Sequence, residues 1–447
     1  MTTTSIDSAT TTGAAPALSV RPARALIDAD TSVEVTGLPP RALARVGAAV
    51  DLPDGTKWRS HAWFVADRTG AIDLATATPL DGSYLVADPN GLVWSLAVTP
   101  DSPDKVRKAR FIESDLEPYE IRFDVQVGEE TVAEAGVWRE PVGPGVTREE
   151  VRGATVGTLF LPPGPRRRGL VIVVPGSDGG VPEPQAALYA SHGVASLALG
   201  YFRFPGVPET LEEIPLEYFD QAFDWAEGHP GIDSSRLIVN GTSRGGELAL
   251  LLGAWFPQRV TAVLAWVPSN LVNRGFPKII DSDSGKSAWT WRGEPLPYND
   301  LQRGEKALEL TRDGVPLRAI GGLQHLADRY GSPELAAAEI PVERINGPVV
   351  FISGRDDVLW PSAVYSDWAV ERLHDHGFAH PVEHWSYENA GHTLGPANGP
   401  ATILTSGDPG EVTQHLIHYG GTPQGIAQAR ADLWPKVLAF IDRHFAD

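Results

Sequence analysis

Residues 237–252 constrain the fold more than any other stretch of the chain. Leu237-Ile238-Val239-Asn240 is a short apolar run that passes directly into Gly241-Thr242-Ser243-Arg244-Gly245. The following Gly246-Glu247-Leu248-Ala249-Leu250-Leu251-Leu252 has strong helix-forming character. A strand that becomes a helix within five residues needs small residues two before and two after the central Ser. It then holds the Ser243 hydroxyl out at the carboxyl end of a sheet. The G-x-S-x-G string alone is weak in a chain with 46 Gly, and its strand–turn–helix setting is what gives it weight. Around it, residues 169–174, 194–199, 260–267, 349–352 and 382–387 read as short strands, and 184–192 and 216–227 as helices. Alternation of this kind predicts an α/β fold with a doubly wound, mostly parallel sheet.

The first third of the chain has a different rhythm. Between residues 19 and 145 apolar and polar positions alternate with period two. The clearest case is Ile121-Arg122-Phe123-Asp124-Val125-Gln126-Val127, a Gly-containing link, and a second run over 131–139. This pattern predicts an antiparallel hairpin within a β-sandwich. Pro141-Val142-Gly143-Pro144-Gly145 marks the expected junction, which leaves 146–447 as the catalytic domain. Residues 1–18 are rich in Thr, Ser and Ala, with neither a basic start nor an apolar core, and are expected to be a disordered tail rather than a signal peptide. Residues 268–341 show no clean strand and are a candidate cap.

Composition removes several function classes. The chain has no Cys, so disulfides, thiolate metal sites and cysteine nucleophiles are excluded together. A net charge of -20 argues against a nucleic-acid partner, though a local basic patch could still hold an anionic ligand. No apolar run reaches the length of a membrane span, and a cytoplasmic location is expected. No metal or redox cofactor is implied, and the oligomeric state is not readable.

A Ser hydroxyl needs a base held by a third group, and in this fold the chain order is Ser, acid, His. Residues 349–354 form a buried strand followed by Arg355-Asp356-Asp357, where the acid belongs. Asp357 is the choice, with Asp356 the alternative, better suited to solvent or to capping the next helix. His392 follows the last strand, after Gly391. Of the other histidines, His384 lies inside a strand, and His415, His418 and His444 fall on C-terminal stretches of helical character. The oxyanion formed on attack needs two donors. The backbone N–H of Arg244 is one. The second is assigned to Ser177 in the loop Pro175-Gly176-Ser177-Asp178-Gly179-Gly180, with Asp178 the alternative. That loop lacks a phosphate-binding Lys, which makes it a poor nucleotide site.

These residues together resemble the acyl-CoA thioesterase and bile acid-CoA:amino acid N-acyltransferase family. The resemblance starts with Gly153-Ala154-Thr155-Val156-Gly157-Thr158-Leu159-Phe160-Leu161-Pro162 and runs through Gly200-Tyr201-Phe202, the elbow and Trp291-Arg292-Gly293-Glu294-Pro295. It ends with Gly354-Arg355-Asp356-Asp357 and Gly391-His392. It implies an immunoglobulin-like sandwich before an α/β-hydrolase domain, and a triad on Ser243, Asp357 and His392. In that family the elbow residue is Ser in the hydrolases and Cys in the bile acid conjugating enzymes, so Ser243 points to hydrolysis. Arg244 stands where mammalian relatives often carry Lys.

The expected reaction is cleavage of an acyl thioester through an acyl-enzyme, with coenzyme A or acyl carrier protein as the carrier. The Ala-, Gly-, Pro- and Arg-rich composition resembles that of high-GC bacterial chains, which keeps the carrier protein in view. The alternatives are an acyltransferase passing the acyl group to an amine or alcohol, an ester or lactone hydrolase, and a catalytically inert binding scaffold.

Overall fold

A computed structural model of the chain describes residues 15–102, 116–164, 168–277, 285–299, 331–406 and 417–446. These fall into two compact units, one drawn from residues before 140, the other from Glu140 onward together with 26–28 and 116–118.

The first unit contains two antiparallel sheets. Leu43–Asp51, Lys57–Val65 and Tyr119–Val127 form the centre of the larger one, and Glu130–Glu140 completes the expected hairpin with Tyr119–Val127. Along Lys57–Val65 every second residue is buried, so Trp58, Ser60, Ala62 and Phe64 share one inward face. That is the period-two pattern of a sandwich with one wet side. The smaller sheet opens with a strand at Ala17–Arg21, whose first two residues fall in the stretch expected to be tail. Residues 1–14 lie outside the described residues.

The second unit is built on an eight-stranded sheet. Its strands are β1 (Thr147–Val151), β2 (Val156–Leu161), β3 (Arg168–Val174), β4 (Ala195–Gly200), β5 (Ile232–Thr242), β6 (Ala262–Trp266), β7 (Val349–Gly354) and β8 (Val382–Tyr387). Their spatial order is β1-β2-β4-β3-β5-β6-β7-β8, antiparallel through β1, β2 and β4 and parallel from β4 onward. This is the α/β-hydrolase order. The chain leaves β3 toward β4 on one side and returns to β5 on the other, so the loops after β3 and β5 diverge and leave a crevice at their carboxyl ends. The crossover helices are α1 (Glu183–Ser191), α2 (Glu217–Gly228), α3 (Arg244–Trp255) and α4 (Ser362–Asp375), with α5 (Pro423–Ala446) closing the chain. Strands β6 and β7 are buried at every position, which is why their sequences read as unbroken apolar runs with no alternation.

Two expectations are corrected. The region 268–341 does contain strand: Trp289–Trp291 pairs in parallel with Ile214–Pro215 and antiparallel with Glu294–Pro295. Residues 278–284 and 300–330 of that candidate cap lie outside the described residues. His418 is not helical; it sits in the two-residue strand Ile417–His418, paired with Thr405–Ser406. His444 does lie in α5, and His415 is outside the described residues. No helix among the described residues is long and apolar enough to cross a membrane.

Candidate active site

The elbow is as tight as its glycines suggested. Ser243 has φ 60 and ψ -118, a conformation a non-glycine residue adopts at a cost of about 1–3 kcal/mol. A Cβ added at Gly241 would sit 2.0 Å from the Gly245 carbonyl oxygen, and one at Gly245 would sit 2.6 Å from that of Pro175. Both positions admit no side chain, for reasons of close approach rather than backbone torsion. The strained turn is held by two hydrogen bonds. Ser243 N–H donates to Trp266 O at 2.8 Å, and Ser243 O accepts from Glu247 N–H at 3.0 Å.

The loops after β7 and β8 bring Asp357 and His392 together. His392 Nδ1 lies 2.7 Å from Asp357 Oδ2, and both side chains are buried. Asp357 Oδ1 accepts the backbone N–H groups of Leu359 and Trp360 at 3.0 and 3.3 Å, and Oδ2 also accepts the Ser362 hydroxyl at 2.6 Å. A carboxylate on Nδ1 keeps the proton there and leaves Nε2 as the acceptor. His392 Nε2 is buried and makes no hydrogen bond to Ser243 or to any other group among the described residues. Ser243 stands on the same edge of the sheet, at the carboxyl end of β5. Asp356, by contrast, is exposed, and its N–H is spent on Ala390 O at 3.0 Å. It caps no helix, because Pro361 occupies the cap position of α4.

The loop after β3 passes against the elbow. At Gly176 a Cβ would be 3.4 Å from Ser243 Cβ and 3.0 Å from Thr242 O, so Ser177 comes one residue past this approach. Arg203 Nη1 donates to Ser177 O at 3.4 Å. The Arg244 side chain points elsewhere. It is fully buried, paired with Glu247, and donates to Arg274 O at 3.0 Å. Glu247 Oε1 accepts Trp289 Nε1 at 2.7 Å and Asn273 N–H at 3.1 Å, while Oε2 also accepts Asn273 Nδ2 at 2.9 Å. Burial pushes the Glu247 carboxyl above its ordinary value and the Arg244 guanidinium below its own, each opposed by the other's charge.

Several of these groups escaped the sequence reading. Ser362 had a weak signal, a hydroxyl five residues past the acid at a helix start. Tyr419 had none: its ring stacks on His392 with centroids 6.1 Å apart, and its carbonyl accepts His392 N–H at 2.8 Å. The bridges Asp357–Gly420 and Ala390–Gly421 bind the same segment to both loops.

A second Ser-His-Asp set exists. Ser353 Oγ lies 2.7 Å from His384 Nε2, and His384 Nδ1 lies 3.0 Å from Asp367. Ser353 is wholly buried within β7, so this set ties β7 and β8 to α4 and has no route to a substrate. A concavity of about 1090 Å³, lined by Leu18, Arg21, Asp30 and Thr31 among others, is open and lies in the first unit. It contains none of the residues above, and chemistry rather than size locates the site.

Comparison with known proteins agrees on one family. Residues 214–447 match the model described as BAAT / acyl-CoA thioester hydrolase C terminal, and residues 28–153 match acyl-CoA thioester hydrolase/BAAT N-terminal region. The chain is 33% identical to mouse acyl-coenzyme A thioesterase 6, over 96% of this chain and 97% of that one. It is 30% identical to mouse peroxisomal succinyl-coenzyme A thioesterase over 96% and 97%. Identity to mouse acyl-coenzyme A amino acid N-acyltransferase 1 is 31% over 95% and 96%. Among solved structures, the α/β hydrolase GrgF from Penicillium sp. sh18 is similar at 15% identity and a TM-score of 0.39, covering 68% of this chain and 99% of that one.

Proposed function

We propose a mechanism from one premise: the chain belongs to the acyl-CoA thioester hydrolase/BAAT family. Its reaction is acyl transfer out of an acyl-CoA thioester, and its acceptor is water. His392 Nε2 takes the proton from Ser243 Oγ as that oxygen attacks the thioester carbonyl. Asp357 holds the imidazole tautomer and balances the charge His392 acquires. The oxyanion rests on the backbone N–H groups of Ser177 and Arg244. Collapse expels the thiol, which receives the proton from His392, and leaves an ester on Ser243. Water, deprotonated by His392, then releases the acid and restores the enzyme.

The observation that carries this reading is the 2.7 Å contact between His392 and Asp357, which leaves a buried Nε2, without a partner among the described residues, on the edge that bears Ser243. The test is thiol release, followed with a disulfide reagent, across short, branched, dicarboxylic and long acyl-CoAs. Turnover of the best substrate falls about 10⁴-fold or more in Ser243→Ala, with the fold intact by circular dichroism. Turnover near the wild-type level in that variant overturns the assignment. We assign acyl length to the candidate cap at 268–341, of which 268–277, 285–299 and 331–341 are described, and a flanking role to residues 19–145.

A second reading has a specific support, the N-acyltransferase among the relatives. Ser at the elbow favours water. Mass analysis of products with glycine, taurine or an alcohol present separates the two, because a conjugate appears only if transfer competes with hydrolysis. Acyl carrier protein thioesters belong in the same panel.

A further inference from the structure

The turn after β6 is strained in a way that the chemistry of the triad does not require. Val267 has φ 39, a left-handed conformation that a β-branched residue adopts only when its surroundings enforce it. It is fully buried, and both of its backbone groups are held from outside the turn. Its N–H donates to Ile352 O in β7 at 2.6 Å, and its carbonyl accepts the indole N–H of Trp360 at 2.9 Å.

What this turn supports is the nucleophile. The residue before Val267 is Trp266, whose carbonyl accepts Ser243 N–H. A Cβ at Gly246, in the first turn of α3, would sit 2.7 Å from that same carbonyl and 3.1 Å from Pro268 Cα. The elbow helix therefore rests directly on residues 266–268. Trp360, at the other end, belongs to the acid loop. Its backbone N–H donates to Asp357 Oδ1 at 3.3 Å, and its ring lies edge-on to His392 with centroids 6.0 Å apart. One residue thus touches the acid through its backbone, and the base and the strained turn beneath the nucleophile through its side chain.

We infer that Trp360 is a positioning residue: its indole N–H pins the strained Val267 turn, and through Trp266 O fixes the elbow of Ser243 in register with Asp357 and His392. The inference rests on the reading of Ser243, Asp357 and His392 as the triad. Val267 and Trp360 are both buried, and the latch acts through the triad, so its effect falls on kcat rather than on binding.

The test is Trp360→Phe, which keeps an aromatic ring and the backbone N–H, removes the indole donor and shortens the buried ring system. The expected result is a fall in kcat of about 10- to 100-fold with KM within about twofold, since small misplacements of reacting groups cost that much. Glycine adopts φ 39 without strain, so Val267→Gly no longer needs the pin. In the Trp360→Phe background it raises kcat about tenfold. Ser243→Ala runs beside both. A Trp360→Phe enzyme with kcat within about threefold of wild type, or one whose only change is a lower unfolding temperature, overturns the latch. So does a folded double variant no faster than Trp360→Phe. If Trp360→Phe is recovered unfolded, Val267→Gly must return a folded and active protein in that background, or the inference fails. If Ser243→Ala keeps its activity, the triad reading itself fails, whatever Trp360 does.

Discussion

Replacing Asp357 by Asn lowers acyl-CoA turnover about 10⁴-fold while the protein stays folded, the size of loss seen when a triad carboxylate becomes an amide. The carboxylate holds four donors: the Leu359 and Trp360 N–H groups, the Ser362 hydroxyl and His392. An Asn side chain can keep its oxygen on the two backbone donors, so the loop has no reason to unfold. Its amide nitrogen then faces His392 Nδ1 and donates to it. The imidazole proton moves to Nε2, which can no longer accept the proton of Ser243. Asp356→Asn is the matched control, because that side chain is exposed and holds neither loop together; its turnover stays within about twofold of wild type. Initial rates of thiol release decide between them. A dead Asp356→Asn beside an active Asp357→Asn would move the acid by one residue.

The largest stability effect is expected at Glu247, which has no solvent exposure. Removing it by Glu247→Ala strips a partner from the buried Arg244 guanidinium and an acceptor from Trp289 Nε1 and from two nitrogens of Asn273. An uncompensated buried charge costs about 3–5 kcal/mol, enough to consume much of a domain's stability. Arg244→Met is expected to cost less, because the carboxylate it leaves behind still accepts from Asn273 and Trp289. Urea unfolding followed by Trp fluorescence measures the order. A Glu247→Ala midpoint equal to that of wild type would mean that the pair contributes nothing. This network also explains why α3 lacks a polar face: Arg244 and Glu247, the two charged residues it carries, turn inward.

The parts of this architecture legible in the sequence are those encoded locally. The elbow announced itself because strand, small residues and helix formers lie within sixteen consecutive positions. The contact between Asp357 and His392 was foreshadowed by the requirement that an acid and a base sit just beyond strand ends, in chain order. The eight-stranded sheet was readable wherever a strand is buried on both faces and so runs apolar. What escaped depends on contacts between distant segments. Trp289–Trp291 is three residues long and exists as a strand because Ile214–Pro215 lies beside it. Ile417–His418 is a strand only through Thr405–Ser406, so its own sequence carries no period to read. Tyr419, Ser362 and Trp360 act by where the loops place them. Trp360 in particular is one of 13 Trp in the sequence, and only its bond to Val267 O singles it out. The strain at Val267 is invisible in sequence, since a Val at a strand end predicts extended backbone.

Ser243 is expected to carry the acyl group, and it can be caught there. Wild-type protein is mixed with its best acyl-CoA substrate, quenched in acid within the first turnovers, digested and weighed peptide by peptide. One added acyl mass is expected on the peptide containing Gly241 to Gly245, formed as free thiol appears and absent in Ser243→Ala. An acyl mass on any other peptide, or thiol release that persists in Ser243→Ala, contradicts that expectation.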